Sequence, residues 1–541
     1  MRKSIIVILA AIAATALFGL RAFDWRGATV YFVITDRFCN GDSTNDLNYG
    51  RCNDYGSERL NAATFHGGDF KGMLSKAREG YFDSLGVDVV WLTDAYEQIH
   101  GWMSGSGAVN DFPHYGYHGY YPLDYTQTDK NYGTVEEMRA LVDELHSQGI
   151  RVMLGANINN PGYPTLLDAV QLGFAPIDMT EAKAAEHIGS WSYDDFFGNC
   201  AQWQEWYGSD WIRMPGQYSE ENPLTATLFG LPDFKDESSD TAAIPSFLHR
   251  KWAKEGSAND AWVCPAARPL RNDHAWTPLQ YITAWIAAWV EEFGIDGMRC
   301  DIVENSHLES WKVLNRACNE ALARWRAKHA GEAAADWTDP FYMTGDYDGA
   351  WIDRKPEYAS AGFGSMVNFY FPKHGDFDGI VATWQQMADS LTAHYDWAPF
   401  SYLNNSYHRD ADSTSMAACL TTLLLAPGTV QLFYGDESGR KESLARLNVD
   451  SNQAFRSDMN WSAIDSTLLA HTRTLGRIRR DNPVIATGRQ RTIDVHTALR
   501  YNDTDSVLII LHPAEGNGPA PALPPHRSTI YDSPSVSILK L

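Results

Sequence analysis

The sequence predicts an α/β fold: a (β/α)8 TIM barrel with a subdomain inserted after its third strand and a small C-terminal antiparallel β domain. Three observations lead there. Eight short apolar runs alternate with amphipathic helical patterns through most of the chain. Residues 160 to about 275 break that rhythm, being rich in Gly, Pro, Asn, Asp and Trp and too long for a simple loop. From about 485 the pattern becomes β-type alternation with turns at Asn502-Asp503 and Gly516-Asn517-Gly518. The expected division is a leader over 1–22, a barrel with its insertion over 23–484, and a β domain over 485–541.

Residues 30–34 and 87–93 read as the first two strands. Thr134-Val135-Glu136-Glu137 has the form of a capping box and opens a helix whose Met138, Leu141, Val142 and Leu145 share one face, ending at Gly149. The third strand is 150–154. Thr277-Pro278 opens another helix, with Ile282, Ile286, Trp289, Val290 and Phe293 on one side and Gly294 at its end. Strands over 295–302, 341–344, 366–371, 400–403 and 429–434 complete the eight.

The chain has 541 residues and a formal net charge of −24 at pH 7. That balance speaks against nucleic acid as the main partner, because phosphate binding needs a basic surface. It speaks equally against electrostatic docking on anionic lipid. The 19 Trp and 26 Tyr can fill a large core and spare flat apolar faces for sugar rings. Arg2 and Lys3 precede an apolar run from Ile5 to Leu20, short for a membrane span and long enough for an export signal. It reads either as a cleaved signal or as an uncleaved anchor, since Arg21 follows without a clean cleavage site. The protein is expected to be exported, periplasmic or extracellular, and monomeric. Its seven cysteines suit that compartment. Cys39–Cys52 and Cys200–Cys264 read as bridges, and Cys300, Cys318 and Cys419 as buried thiols.

In such a barrel the active site lies at the C-terminal ends of the strands. Those ends carry Asp36-Arg37, Thr93-Asp94, Gly155-Ala156-Asn157, Arg299-Cys300-Asp301, Gly345-Asp346, Asn368, Asn404-Asn405 and Asp436-Glu437. Each alone is well explained as a polar cap on the rim. Together they suit acid–base or nucleophilic work on a polar neutral substrate.

Motifs in order along the chain carry a resemblance. They are Tyr31-Phe32 through Asp36-Arg37-Phe38, His66-Gly67-Gly68-Asp69-Phe70, Tyr117-His118-Gly119-Tyr120-Tyr121, and Gly294 through Arg299-Cys300-Asp301. Met343-Thr344-Gly345, Ala426-Pro427-Gly428, Phe433 through Glu437 and Arg456 through Trp461 follow. The chain resembles the α-amylase family of glycoside hydrolases, and most closely its periplasmic members. The resemblance implies a retaining mechanism on α-1,4-glucans such as starch and maltooligosaccharides. It puts the nucleophile on Asp301, with Arg299 holding it ionised and aimed, the acid/base on Asp346, and sugar binding on His118, Tyr120 and Tyr121.

Several positions depart from the family's pattern. Asp346 stands where the acid/base is normally Glu; the chain is shorter there by one C–C bond, about 1.5 Å. A misplacement of about 1 Å can cost on the order of 100-fold in rate. Ser406 and Tyr407 fall on the usual His-Asp pair after the seventh strand, so Tyr407 replaces the third carboxylate; only a shifted loop would bring His408 or Asp410 into register. Gly155 through Asn160 replaces Asp-Val-Val-x-Asn-His and keeps only Asn159. Glu304-Asn305 replaces Lys-His.

Ca²⁺ is the expected cofactor. The hard oxygens of Asn40, Asp42, Asn45 and Asp46 suit it, and the resemblance completes the loop with Gly67 and Asp69. The alternative is a turn held by its own side-chain hydrogen bonds. A second ion is expected at Asn159 and Asp233. Two readings of function remain side by side: a hydrolase or transglycosylase that tolerates an altered site with reduced activity, and an inactive family member that binds α-glucan or a protein partner. A third is that Asp346 or Asp348 serves a different glycoside geometry.

Overall fold

In the computed structural model, eight parallel strands close on themselves with every neighbour consecutive in the chain. They are β1 (Thr29–Val33), β2 (Val89–Leu92), β3 (Arg151–Ala156), β4 (Gly297–Cys300), β5 (Tyr342–Gly345), β6 (Phe363–Asn368), β7 (Phe400–Tyr402) and β8 (Thr429–Phe433). Each overlaps an apolar run read from the sequence. The structure describes residues 23–52, 54–104, 112–174, 178–186, 206–214, 221–407, 411, 414–442, 452–513 and 525–541. The apolar run over 5–20 lies outside them. No helix among the described residues is long and apolar enough to cross a membrane.

Helices follow the strands: α1 (Phe70–Arg78), α2 (Val135–Ser147), α3 (Pro278–Phe293), α4 (Leu308–Lys328), the single turn α5 (Pro356–Ala359), α6 (Ile380–Ala393), α7 (Met416–Leu424) and α8 (Ser466–Asp481). The capping box at Thr134 forms as expected: the Glu137 N–H donates to Thr134 Oγ1 at 3.3 Å, and the Thr134 N–H donates to Glu137 Oε2 at 2.8 Å. Gly294 ends α3 in the left-handed region at φ 71°. Phe32 of β1 stacks on Trp91 of β2, their ring centroids 3.8 Å apart.

The stretch after β3 holds short helices over Leu166–Leu172, Glu181–Ala185 and Ser246–Glu255, and a two-residue ladder pairing Ile212–Arg213 with Asp233–Phe234. A buried ion cluster fastens it to the segment that follows β2. The Lys251 ammonium meets Glu97 at 2.5 Å, Glu255 at 2.9 Å and Asp124 at 3.0 Å. Removing one member of such a cluster would leave an uncompensated buried charge, so the segment between β2 and α2 is held firmly. The C-terminal sheet is antiparallel, β9 (Arg489–Asp494), β10 (Thr497–Tyr501), β11 (Ser506–Leu511), β12 (Ser528–Asp532) and β13 (Val536–Lys540), in the order β9-β10-β11-β13-β12.

The expected Cys39–Cys52 bridge does not form. Cys39 and Cys52 are separate thiols. Cys39 sits against α1, where its carbonyl accepts from the Asp69 N–H at 3.1 Å, whereas Cys52 lies beside Tyr115, whose hydroxyl accepts from the Cys52 N–H at 3.3 Å. The loop between them therefore carries the two sulfurs to different neighbours. Cys264 is a buried free thiol, and Cys200 lies outside the described residues. Cys300, Cys318 and Cys419 are buried thiols, as read from the sequence.

Candidate active site

Arg299 is the centre of the rim. It sits on β4 between Gly155 of β3 and Thr344 of β5 in register. One terminal nitrogen of its guanidinium donates to Asp301 and the other to Asp346, so a single side chain bridges the expected nucleophile and acid/base. Their backbones are tied to adjacent strands, through Asp301 N–H to the Ala156 carbonyl at 3.0 Å and Asp346 N–H to the Cys300 carbonyl at 2.9 Å. Ile302, directly after Asp301, has φ 44°. A β-branched residue in the left-handed region is strained, and that strain lies in the turn that presents Asp301.

The loop after β2 supplies the sugar-binding candidates. The Tyr120 N–H donates to His118 Nδ1 at 3.1 Å, which leaves the ring proton on Nε2. Burial, with Arg456 and His114 nearby, pushes His118 well below the ordinary histidine value, so the ring is neutral. Tyr120 lies 5.2 Å from His118 and 6.0 Å from Tyr407, ring to ring. Tyr121 packs edge-on against His118 at 4.5 Å and so supports the imidazole. Tyr407 does reach the site, as the sequence placed it: the Arg456 guanidinium lies 4.9 Å over its ring, and Arg456 Nε donates to the Ser406 carbonyl at 2.9 Å. His408 and Asp410 lie outside the described residues.

Two carboxyls given no role in the sequence complete the set. Asp94, at the end of β2, is almost fully buried, and burial next to Asp301 raises its pKa well above the ordinary value. Glu304, three residues after Asp301, accepts from the Asp348 N–H at 2.9 Å, and burial raises its pKa too. The Thr93-Asp94 strand end was the signal for the first; nothing in a single sequence marks its neighbour across the barrel. By contrast Asp36 and Arg37 form a buried pair with each other, and Arg37 also donates to the carbonyls of Ala62, Thr64 and Arg456. That pair is scaffold.

The expected calcium loop is compact. Asn40 Nδ2 donates to Asp46 Oδ1 at 2.8 Å, and a Cβ on Gly67 would meet both groups within 2.5 Å. Asn45 Oδ1 is buried without a hydrogen-bond partner among the described residues. An orphaned hard oxygen beside an amide and a carboxylate fits a Ca²⁺ ligand set. Asp69 and Asp42 are more engaged: Asp69 accepts from the N–H groups of Gly41, Asp42 and Gly72, and Lys71 sits 2.5 Å from Asp42. Of the second expected pair, Asp233 accepts from Arg213 at 2.7 Å, while Asn159 Oδ1 is buried without a hydrogen-bond partner among the described residues. Asp236, Glu237 and His307 bring ligand-type atoms within 4.8 Å of one another, but His307 bonds to Asp236 at 2.8 Å and Arg213 takes Glu237. That group is a satisfied ion-pair network.

The α-amylase catalytic-domain family model matches residues 32–166. The periplasmic alpha-amylase of Escherichia coli (strain K12) is 36% identical over 520 residues, covering 90% of this chain and 72% of that protein. A Beta/alpha-amylase of Paenibacillus polymyxa is 26% identical over 496 residues, which are 86% of this chain and 32% of that longer protein. An Anoxybacillus alpha-amylase structure matches with a TM-score of 0.59 at 17% identity, covering 96% of each chain, a likeness of fold. Barrel, rim and a relative this similar over most of its length give one answer: the chain belongs to the α-amylase family.

Proposed function

We propose that the protein is exported and acts on α-1,4-glucan, starch or maltooligosaccharide, by a retaining glycoside hydrolase mechanism of reduced rate. The observation that carries this reading is the Arg299 fork, which brings the Asp301 and Asp346 carboxylates to one guanidinium. Retaining enzymes hold their two carboxyls about 5–5.5 Å apart, a spacing that such a fork suits. Asp301 would attack the anomeric carbon while Asp346 protonates the departing glycosidic oxygen. Asp346 would then take a proton from water, whose oxygen displaces Asp301 and releases the sugar. The neutral His118, with its Nε2–H buried and unpartnered among the described residues, would donate to a sugar hydroxyl, and Tyr120 would carry the ring. Export rests on the apolar run over 5–20 and on the periplasmic relative.

The reduced rate follows from the same fork. An ion pair with a guanidinium favours the ionised carboxylate, whereas a general acid must hold a proton. Tyr407 in place of a third carboxylate adds nothing anionic to steady a cationic transition state. These two features favour, as a second reading, a binder of α-glucan that does not turn over. We also propose that Asn40, Asp42, Asn45, Asp46, Gly67 and Asp69 hold Ca²⁺, which would pin the loop between β1 and α1.

Reducing-sugar release from starch and maltooligosaccharides separates the two readings. Activity that vanishes in Asp301→Asn, and rises in Asp346→Glu, supports the hydrolase. No turnover in the parent, with calorimetric binding of maltooligosaccharide that Tyr120→Ala weakens, leaves the binder.

A further inference from the structure

Gly155 is a glycine for lack of space. Its φ is not positive, so the backbone does not demand the residue. A Cβ there would lie 1.7 Å from Asp94 Oδ1, reaching over from β2. The Asp94 carboxyl therefore occupies the place of a β3 side chain, beside the register partner of Arg299. Asp94 is 1% exposed, and its Oδ1 has no hydrogen-bond partner among the described residues.

Two more buried polar atoms near it are unpartnered among the described residues, Arg299 Nε and His118 Nε2, both donors. Tyr120, stacked on His118, has Arg299, Asp301 and Asp94 all within electrostatic reach, so these groups share one neighbourhood. An interior normally satisfies its polar atoms. Three that stay unsatisfied around a nucleophile are arranged for a ligand rich in hydroxyls.

We propose that Asp94 is a sugar-contacting residue of this site, delivered from β2 into the space Gly155 leaves open, where its carboxyl exchanges hydrogen bonds with a glucan hydroxyl. The proposal rests on the reading that the barrel mouth binds α-glucan. Burial raises the pKa of this carboxyl well above the ordinary value, which favours the form with one O–H donor and one C=O acceptor, the complement of a hydroxyl.

The test is calorimetric titration of the whole protein with maltoheptaose, comparing the parent with Tyr120→Ala, Asp94→Ala, Asp94→Asn and the exchange Asp94→Ala/Gly155→Asp, each checked for a cooperative thermal transition. Asp94→Ala should bind roughly tenfold more weakly or worse, Asp94→Asn within about threefold of the parent, and the exchange should recover most of the loss. The amide keeps a donor and an acceptor, and it also reports should the alanine variant fail to fold. Parent-like affinity in Asp94→Ala, while Tyr120→Ala loses binding, overturns the role of Asp94 and leaves the glucan reading standing. Affinity unchanged in every variant places the sugar elsewhere and overturns both.

Discussion

The two sides of the barrel rim treat buried polar groups in opposite ways. Where β1 meets β8 two buried groups are densely bonded: all three nitrogens of the Arg37 guanidinium donate, and Glu437 accepts from Tyr31 at 2.7 Å, Tyr81 at 2.5 Å and the Gly435 N–H at 3.0 Å. On the β2 to β4 side Asp94 Oδ1, His118 Nε2 and Arg299 Nε are left over among the described residues. The first side is built for stability and the second holds hydrogen-bonding capacity in reserve. Both lie at strand ends, so position on the rim does not separate scaffold from site. Satisfaction does.

Breaking the satisfied side should cost most. Arg37→Ala leaves Asp36 buried without its counter-charge and should lower the unfolding free energy by about 3–5 kcal/mol, read by urea denaturation. A loss under 1 kcal/mol would place Arg37 outside the scaffold.

Calcium should come next. A ligand at a hundredfold above its Kd adds about 2.7 kcal/mol, so a chelator should lower Tm by several degrees. Asn45→Ala should abolish that shift, and a parent Tm indifferent to chelator would remove the metal from this loop.

Gly155→Ala sharpens the comparison on the reserved side. The new methyl meets the Asp94 carboxyl and should destabilise by about 1–3 kcal/mol. Adding Asp94→Ala should return most of it, a coupling that a double-mutant cycle measures. Additive losses would mean that the two positions do not compete.

The smallest effect is on pH dependence. Burial raises the pKa of Asp94 in the folded protein above its unfolded value, so its contribution to stability is full below about pH 3.9 and drains away as pH rises toward the raised folded value. Asp94→Asn should flatten that decline in denaturation curves taken from about pH 4 to 8. An unchanged slope would mean that Asp94 is not the group responsible.

Much of this was legible in the sequence because it is local. Strand runs, the Thr134 capping box and the identities at strand ends depend on neighbours a few residues away. Tyr407 also landed where counting from β7 put it. The separation of Cys39 from Cys52 was not legible, since the two are near in sequence yet directed to different neighbours. Nor was the exchange between Asp94 and Gly155, because its logic lies across two strands separated by an entire helix.

That exchange also constrains history. A carboxyl at 94 and a side chain at 155 exclude each other, so the two positions cannot have changed in either order at equal cost. Glycine at 155 first opens a void, which a barrel tolerates; aspartate at 94 first meets an occupied place. With Asp94 seated, any side chain regained at 155 is penalised until 94 also reverts. Reversal therefore has one cheap order, 94 before 155, the mirror of the order in which the pair is cheapest to assemble.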